Sequence, residues 1–269
     1  LTGVALHLSP HPDDELIGAP ATLMALRDAG YRVVNFACGL GRPDQHERRE
    51  AELREACRLA GFELRLPARP PAISAGDDLA AAQAELRDLA SEAMTELAPE
   101  IVLSPGPHDR HPGHEVVARA VRDALRQRTE EVPRWWMWSL WGGLPLPTLG
   151  TAFDAARLEE VLTALAAHRG ELERCDYRRL VRSRAEMSAS LAPELLIGFG
   201  AASAGDVSYA ELLTEVVLVD GLWLLGSSRW LDPAAPLAEP TEVDVTEWLH
   251  SPSLAARLAR AANEPGSRV

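Results

Sequence analysis

The sequence predicts an α/β protein: a Rossmann-like, mostly parallel sheet with helices on both faces, followed by a less regular C-terminal part. Three observations lead there. Residues 1–130 alternate short apolar runs with longer amphipathic stretches, the pattern of parallel strands joined by helical crossovers. Two polar knots, His11-Pro12-Asp13-Asp14-Glu15 and Asp109-Arg110-His111-Pro112-Gly113-His114, each follow an apolar run and precede a helical one. Beyond residue 131 the alternation lapses into a tryptophan cluster and a hairpin signal. With 269 residues, 46% of them hydrophobic, the chain can bury one sizeable core. It shows neither an internal repeat nor a linker, so residues 1–269 are expected to form a single domain.

Val4–Leu8, apolar but for His7, reads as a buried strand. Leu16–Ala29 has Leu16, Leu23 and Leu26 at helical spacing and stops at Gly30, with Pro20 either kinking that helix or delaying its start. Tyr31–Cys38 reads as a second strand. His46–Leu59 is a charged helix with Leu53, Ala56 and Leu59 on one face, ended by Gly61. Phe62–Leu66 is a short third strand, and Pro67–Asp78 a proline-rich loop. Leu79–Leu97 is a long amphipathic helix, Glu100–Leu103 a fourth strand, and Pro112–Gln127 the helix behind the second knot. In the remaining chain Ala155–Arg174 and Ser183–Leu191 read as helices. Val216–Val219 and Leu222–Leu225 flank Asp220-Gly221, a hairpin turn signal. A last helix is expected over Ser253–Ala262. Tryptophans are more often core than binding surface, but Trp135, Trp136, Trp138 and Trp141 are dense enough to suggest an aromatic wall for a sugar or a bulky apolar group.

Composition removes several functions. The net charge is −13, the wrong sign for nucleic acid or an anionic membrane surface. Every basic residue is arginine, so lysine Schiff-base chemistry is excluded. No apolar run approaches the ~18 residues of a membrane helix, and no secretory signal pattern is present. Cys38, Cys57 and Cys175 are too few and too scattered for a disulfide framework or a zinc finger, which favours a reducing, cytoplasmic compartment. Gly39-Leu40-Gly41 is not a dinucleotide fingerprint, and there is no phosphate-binding loop of the Walker type.

The chemistry is in the two knots. His11, Asp14 and His114 are the residue types of a three-ligand catalytic zinc site with a position left open for water. Neighbouring Asp13 and Asp14 point their side chains different ways, so one can ligate while the other serves as general base. His111, three residues before His114, can face the same pocket and support a developing oxyanion or protonate a leaving group. For the first knot alone, an aspartate-capped turn explains the pattern as well; the two together point to a metal. His7 reads as a core histidine, and His46, His168 and His250 as surface ones, with His108 closer to the second knot.

These residues resemble the PIG-L/LmbE-like N-acetylglucosaminyl deacetylases, which have a Rossmann-like fold, an HPDDE motif after the first strand and an HPDH-type motif later. The first motif is complete here; the second has Gly113 where the family often has aspartate. The resemblance covers residues 4–125 and implies one zinc ion per chain held by His11, Asp14 and His114, Asp13 as base, and His111 as acid or electrostatic stabiliser. It implies substrate-binding positions at Arg49, in an R-x-x-E helix, and at Asp109, which could also orient a histidine. The turn Cys38-Gly39-Leu40-Gly41 departs from the family's Thr-Asp-Gly. The lysine-free, tryptophan-rich composition is similar to members that deacetylate teicoplanin-type glycopeptide antibiotics, which implies a small-molecule amino-sugar conjugate as substrate. A phosphoesterase, needing a second metal and more carboxylates, and a non-catalytic sugar-binding protein of the same fold are the alternatives. The oligomeric state cannot be read from the sequence.

Overall fold

Strand β1 (Val4–Ser9) is buried along almost its whole length and forms the middle of the sheet. It pairs in parallel with β2 (Arg32–Ala37) on one side and β4 (Ile101–Pro105) on the other. β3 (Glu63–Arg65) extends the β2 side and β5 (Arg134–Trp138) the β4 side, both in parallel. Beyond β5 the sheet turns antiparallel through β7 (Tyr209–Val219), β8 (Leu222–Gly226) and β10 (Pro240–Asp244). The long β7 also pairs with β6 (Leu149–Phe153), which meets β9 (Arg229–Trp230). The computed structural model describes residues 3–74, 76–129, 131–200 and 207–253.

Successive side chains of a strand face opposite ways, and the core follows that rule. Ala5, Ile101, Leu103, Trp136 and Trp138 face one side. There they meet α2 (Pro20–Asp28), α3 (His46–Ala60), α6 (Ala155–Leu165) and the first turns of α8 (Tyr177–Ile197). Leu6, Leu8, Val102, Trp135 and Met137 face the other, against α4 (Leu79–Leu97), α5 (Pro112–Arg126) and α9 (Thr246–His250). The expected Rossmann-like sheet with helices on both faces is thus the fold. Among the described residues no helix is long and apolar enough to cross a membrane.

Three expectations change. The helix expected over Leu16–Ala29 is two, α1 (Asp14–Ile17) and α2, because Pro20 lacks an N–H and fits only a first turn. The break brings Gly18 against Trp138, where a Cβ would lie 2.7 Å from the indole. The helix over Ala155–Arg174 is also two, α6 and α7 (Arg169–Arg174), with His168 between them. Trp135, Trp136 and Trp138 are wholly buried, since β5 is covered on both faces; Trp141 alone of that cluster is exposed. Beyond Ser253, the last expected helix lies outside the described residues.

The C-terminal half also secures the start of α2. The Glu211 carboxylate, on β7, accepts the Ala21 and Thr22 amides at 2.8 Å each and the Thr22 hydroxyl at 2.7 Å. It supplies from a distance the N-cap that Ala19 cannot. Glu211→Ala leaves the Ala21 and Thr22 amides without this acceptor and is expected to lower stability by about 2 kcal/mol; an unchanged urea midpoint would show that the cap contributes nothing.

Candidate metal centre

β1 and β4 lie side by side, but the chain proceeds from them in opposite directions, to β2 and β3 one way and to β5 the other. Their C-terminal ends therefore open a crevice, the usual ligand site of such sheets. The first knot leaves β1 and the second leaves β4, so both reach it. A cavity of about 550 Å³ lies there, lined by His11, Asp13, Asp14, Arg49, His111 and His114, with Trp141, Glu171, Arg174 and Tyr177 among its walls.

The first knot is a tight turn. The Asp14 amide donates to the His11 carbonyl at 3.2 Å, and the His11 amide donates back to Asp14 Oδ2 at 2.8 Å. His11 Nδ1 lies 3.1 Å from the same carboxylate oxygen, and His114 Nε2 lies 3.4 Å from Asp14 Oδ1. Asp13 sits at φ 118° and ψ −27°, a conformation that costs a residue with a side chain about 1–3 kcal/mol. In the second knot His111 is extended, the conformation that a following proline favours, and stands at the N-cap position of α5 with its side chain making no capping bond. His114, in the first turn of α5, comes back to the same crevice. His11, His111 and His114 each offer a ring nitrogen within 4.8 Å of the other two. Asp14 is bonded into this group, so the three residues expected to share a metal come together and His111 joins them.

Asp109 is fully buried and holds the second knot from behind. Its Oδ2 accepts from His114 Nδ1 at 2.6 Å, which turns His114 Nε2 toward Asp14. Its Oδ1 accepts the Ser139 hydroxyl and the amides of Leu140, Trp141 and Gly142 at 2.7, 2.8 and 3.0 Å. It does not line the cavity; it orients His114 and fixes the loop carrying Trp141. Arg49 does line it, 3.1 Å from Glu171 and 3.4 Å from the Pro12 carbonyl. Gly113 explains the departure from the HPDH pattern, because a Cβ there would lie 2.9 Å from the His11 ring and 3.1 Å from the Ile73 carbonyl.

The electrostatics favour a positive charge. Burial would lift the Asp14 carboxyl, but His114 and His11 outweigh it and hold it well below the usual carboxylate range. Burial likewise opposes a charged His114, yet Asp14 and Asp109 push it up to about 10. Burial, with His11 and His114 nearby, pushes His111 down to about 4. Asp13 is raised well above its ordinary value by burial and by Asp14, Glu15 and Glu171. Two carboxylates stabilising a positive charge among three imidazoles suit a divalent cation. His111 Nδ1 is buried and lacks a hydrogen-bond partner, so this ring is not tied to a carboxylate as the His11 and His114 rings are.

Histidines expected at the surface divide. His46 is partly buried and bonds the Gly41 carbonyl at 3.0 Å, and His250 is exposed. His168 is instead fully buried against Glu15, which the sequence pattern did not reveal. His7 is a core residue, accepting from Trp138 Nε1 at 3.1 Å and donating to Asn35 at 2.9 Å. His108 is bonded to the Trp248 carbonyl at 2.9 Å, apart from the three-histidine group. Asp109→Ala strands three backbone amides at once. It is expected to destabilise by about 3 kcal/mol and to expose the amides of residues 140–142 to exchange; unchanged protection there would refute the anchoring role.

Residues 6–125 match the family model described as PIG-L: GlcNAc-PI de-N-acetylase. No curated protein sequence matches the chain. Among solved structures the chain is similar to the A40926 pseudoaglycone deacetylase Dbv21, with a TM-score of 0.61 and 20% identity over 79% of this chain and 96% of that one. It is similar to the zinc-inhibited form of the teicoplanin deacetylase Orf2, at 0.62 and 16% over 81% and 99%. It is also similar to the 4-carboxy-2-hydroxymuconate hydratase GalB of Pseudomonas putida KT2440, at 0.59 and 16% over 80% and 96%. At such identities the likeness is one of fold. Residues 6–125, the stretch that matches the PIG-L family model, carry both histidine knots and most of the strands that present them.

Proposed function

We propose that the protein hydrolyses the N-acetyl amide of a glucosamine unit on a larger small-molecule conjugate, with one zinc ion per chain held by His11, Asp14 and His114. The observation that carries this reading is the convergence of Asp13, Asp14 and three histidines at the crevice between β1 and β4, inside the stretch that matches a de-N-acetylase family. The bonding of Asp14 to both His11 and His114 supports these three as ligands and leaves His111 as a separate group. When bound, the ion supplies Lewis acidity toward the amide carbonyl and toward water.

The chain's own groups do the rest. Asp13 lines the cavity and takes a proton from water as the water oxygen bonds to the acyl carbon. His111 donates its free ring N–H to the carbonyl oxygen as that oxygen gains charge. The proton held by Asp13 passes to the amine nitrogen as the carbon–nitrogen bond breaks, so acetate and a free amine leave. Arg49 and the Trp141 indole, 43% exposed, offer a sugar a cation and an apolar face. The glycopeptide deacetylases among the fold's relatives favour a glycosylated natural product as the conjugate. The three free thiols, one of them exposed, favour a cytoplasmic location.

The fold also supports a hydratase, so architecture alone does not select the reaction. Acetate release from a panel of N-acetylglucosaminides decides it: zinc-loaded protein that releases none would defeat the reading. Asp13→Asn is expected to retain one zinc and lose turnover by roughly 10³-fold. Full turnover in that variant would remove Asp13 as base. His114→Ala is expected to lose the ion and His111→Ala to keep it while turnover falls by roughly 10²-fold, both read by elemental analysis beside the assay. Zinc retained without His114, or lost without His111, would reverse the two assignments.

A further inference from the structure

The geometry points to His168 as a positioning residue for Asp13, acting through Glu15; its catalytic consequence rests on the proposed role of Asp13 as base. Asp13 occupies a backbone conformation that a residue with a side chain keeps only when its surroundings impose it. Its carbonyl is fixed by the Leu16 and Ile17 amides, at 2.8 and 3.0 Å. Its own amide donates to Glu15 Oε2 at 3.0 Å. Glu15 is fully buried, and its other carboxylate oxygen accepts from His168 Nε2 at 2.5 Å.

A buried carboxylate is tolerated only when paired and hydrogen-bonded. His168 supplies the charge-assisted bond that keeps Glu15 inside, and Glu15 in turn holds the strained peptide on which the Asp13 side chain is carried into the cavity. The imidazole is fully buried and its other nitrogen, Nδ1, has no partner, so its one hydrogen bond is the one to Glu15. Its backbone is pinned at both sides, the amide to the Leu165 carbonyl at 3.1 Å and the carbonyl to the Leu172 amide at 3.0 Å. His168 lies well beyond residues 6–125, between α6 and α7. The C-terminal half thus contributes to the presentation of the base as well as to the cavity wall.

His168→Leu removes the donor while filling the space; His168→Gln keeps an N–H near the Nε2 position. In zinc-loaded protein, amide hydrogen exchange over residues 9–17 is expected to quicken by about tenfold or more in His168→Leu, with β4 unchanged and His168→Gln restoring protection. kcat for acetate release is expected to fall by about 10–100-fold with KM and zinc content kept, and His168→Gln to recover most of it. Wild-type exchange over residues 9–17 in His168→Leu would overturn the proposal, as would a glutamine variant no better than the leucine one. Should the leucine variant fail to fold, His168→Asn, polar but too short to reach Glu15, is held to the same two outcomes. The exchange comparison does not depend on the reaction: if no form releases acetate, the proposed function fails while the positioning of Asp13 is still decided.

Discussion

The constraint on which the site depends is the parallel pairing of β1 with β4. Ala5, Leu6 and His7 stand opposite Ile101, Val102 and Leu103, which sets the ends of the two strands level. Because the chain leaves them toward opposite edges, the loops after Ser9 and Pro105 have no neighbour between them but each other. His11 and His114 are a hundred residues apart in the chain and share one carboxylate because of that register. A slip of one residue would turn a strand's alternating side chains over and take the core with it, so the same packing that builds the core fixes the histidine cluster.

Beneath the cluster lies a line of buried polar contacts. Trp138 donates to His7 and His7 to Asn35, linking β5, β1 and β2 through the interior of the sheet. Burial lowers the His7 pKa, so the ring stays neutral and can serve as acceptor at one nitrogen and donor at the other. The Trp138 ring also meets the His114 ring edge-on, with centroids 5.3 Å apart. On the far side of the crevice the Arg184 guanidinium donates to the Ile17 and Ser139 carbonyls, at 2.6 and 2.7 Å, tying the end of α1 to the loop that Asp109 holds. The two histidine loops are therefore supported by packed and hydrogen-bonded groups whose own positions are fixed, the condition for a preorganised site.

What could be read from the sequence was whatever local periodicity and local chemistry carry. The run Val4–Leu8 is apolar but for His7 because β1 is covered on both faces, and Leu79–Leu97 has the bounds of α4 because its start is capped by its own Asp78. The grouping of candidate metal donors in the two knots was readable because those donors sit within a few residues of each other. Features set by distant parts of the chain were not. His168 looks like any histidine in a helical run; its burial follows from the packing of the α6–α7 turn onto Glu15. The break at Pro20 is stabilised by Glu211 from another strand, and no local signal announces a cap of that kind. The tryptophan run suggested a wall because composition does not tell that β5 is covered on both faces, leaving only Trp141, just past the strand's end, to meet solvent.

The cavity is assembled from two unequal contributions. Its floor, with the histidine cluster, comes from residues before 115, and much of its rim from Trp141, Gly170, Glu171, Arg174 and Tyr177. Such a division lets the shape and charge of the rim change without disturbing the histidine floor, by redrawing a short helix and one loop. α7 is not wholly free to vary, however, since the residue just ahead of it reaches under the first histidine loop. Any graft that imports a new rim at this point must bring its own imidazole, or leave the old one where it stands.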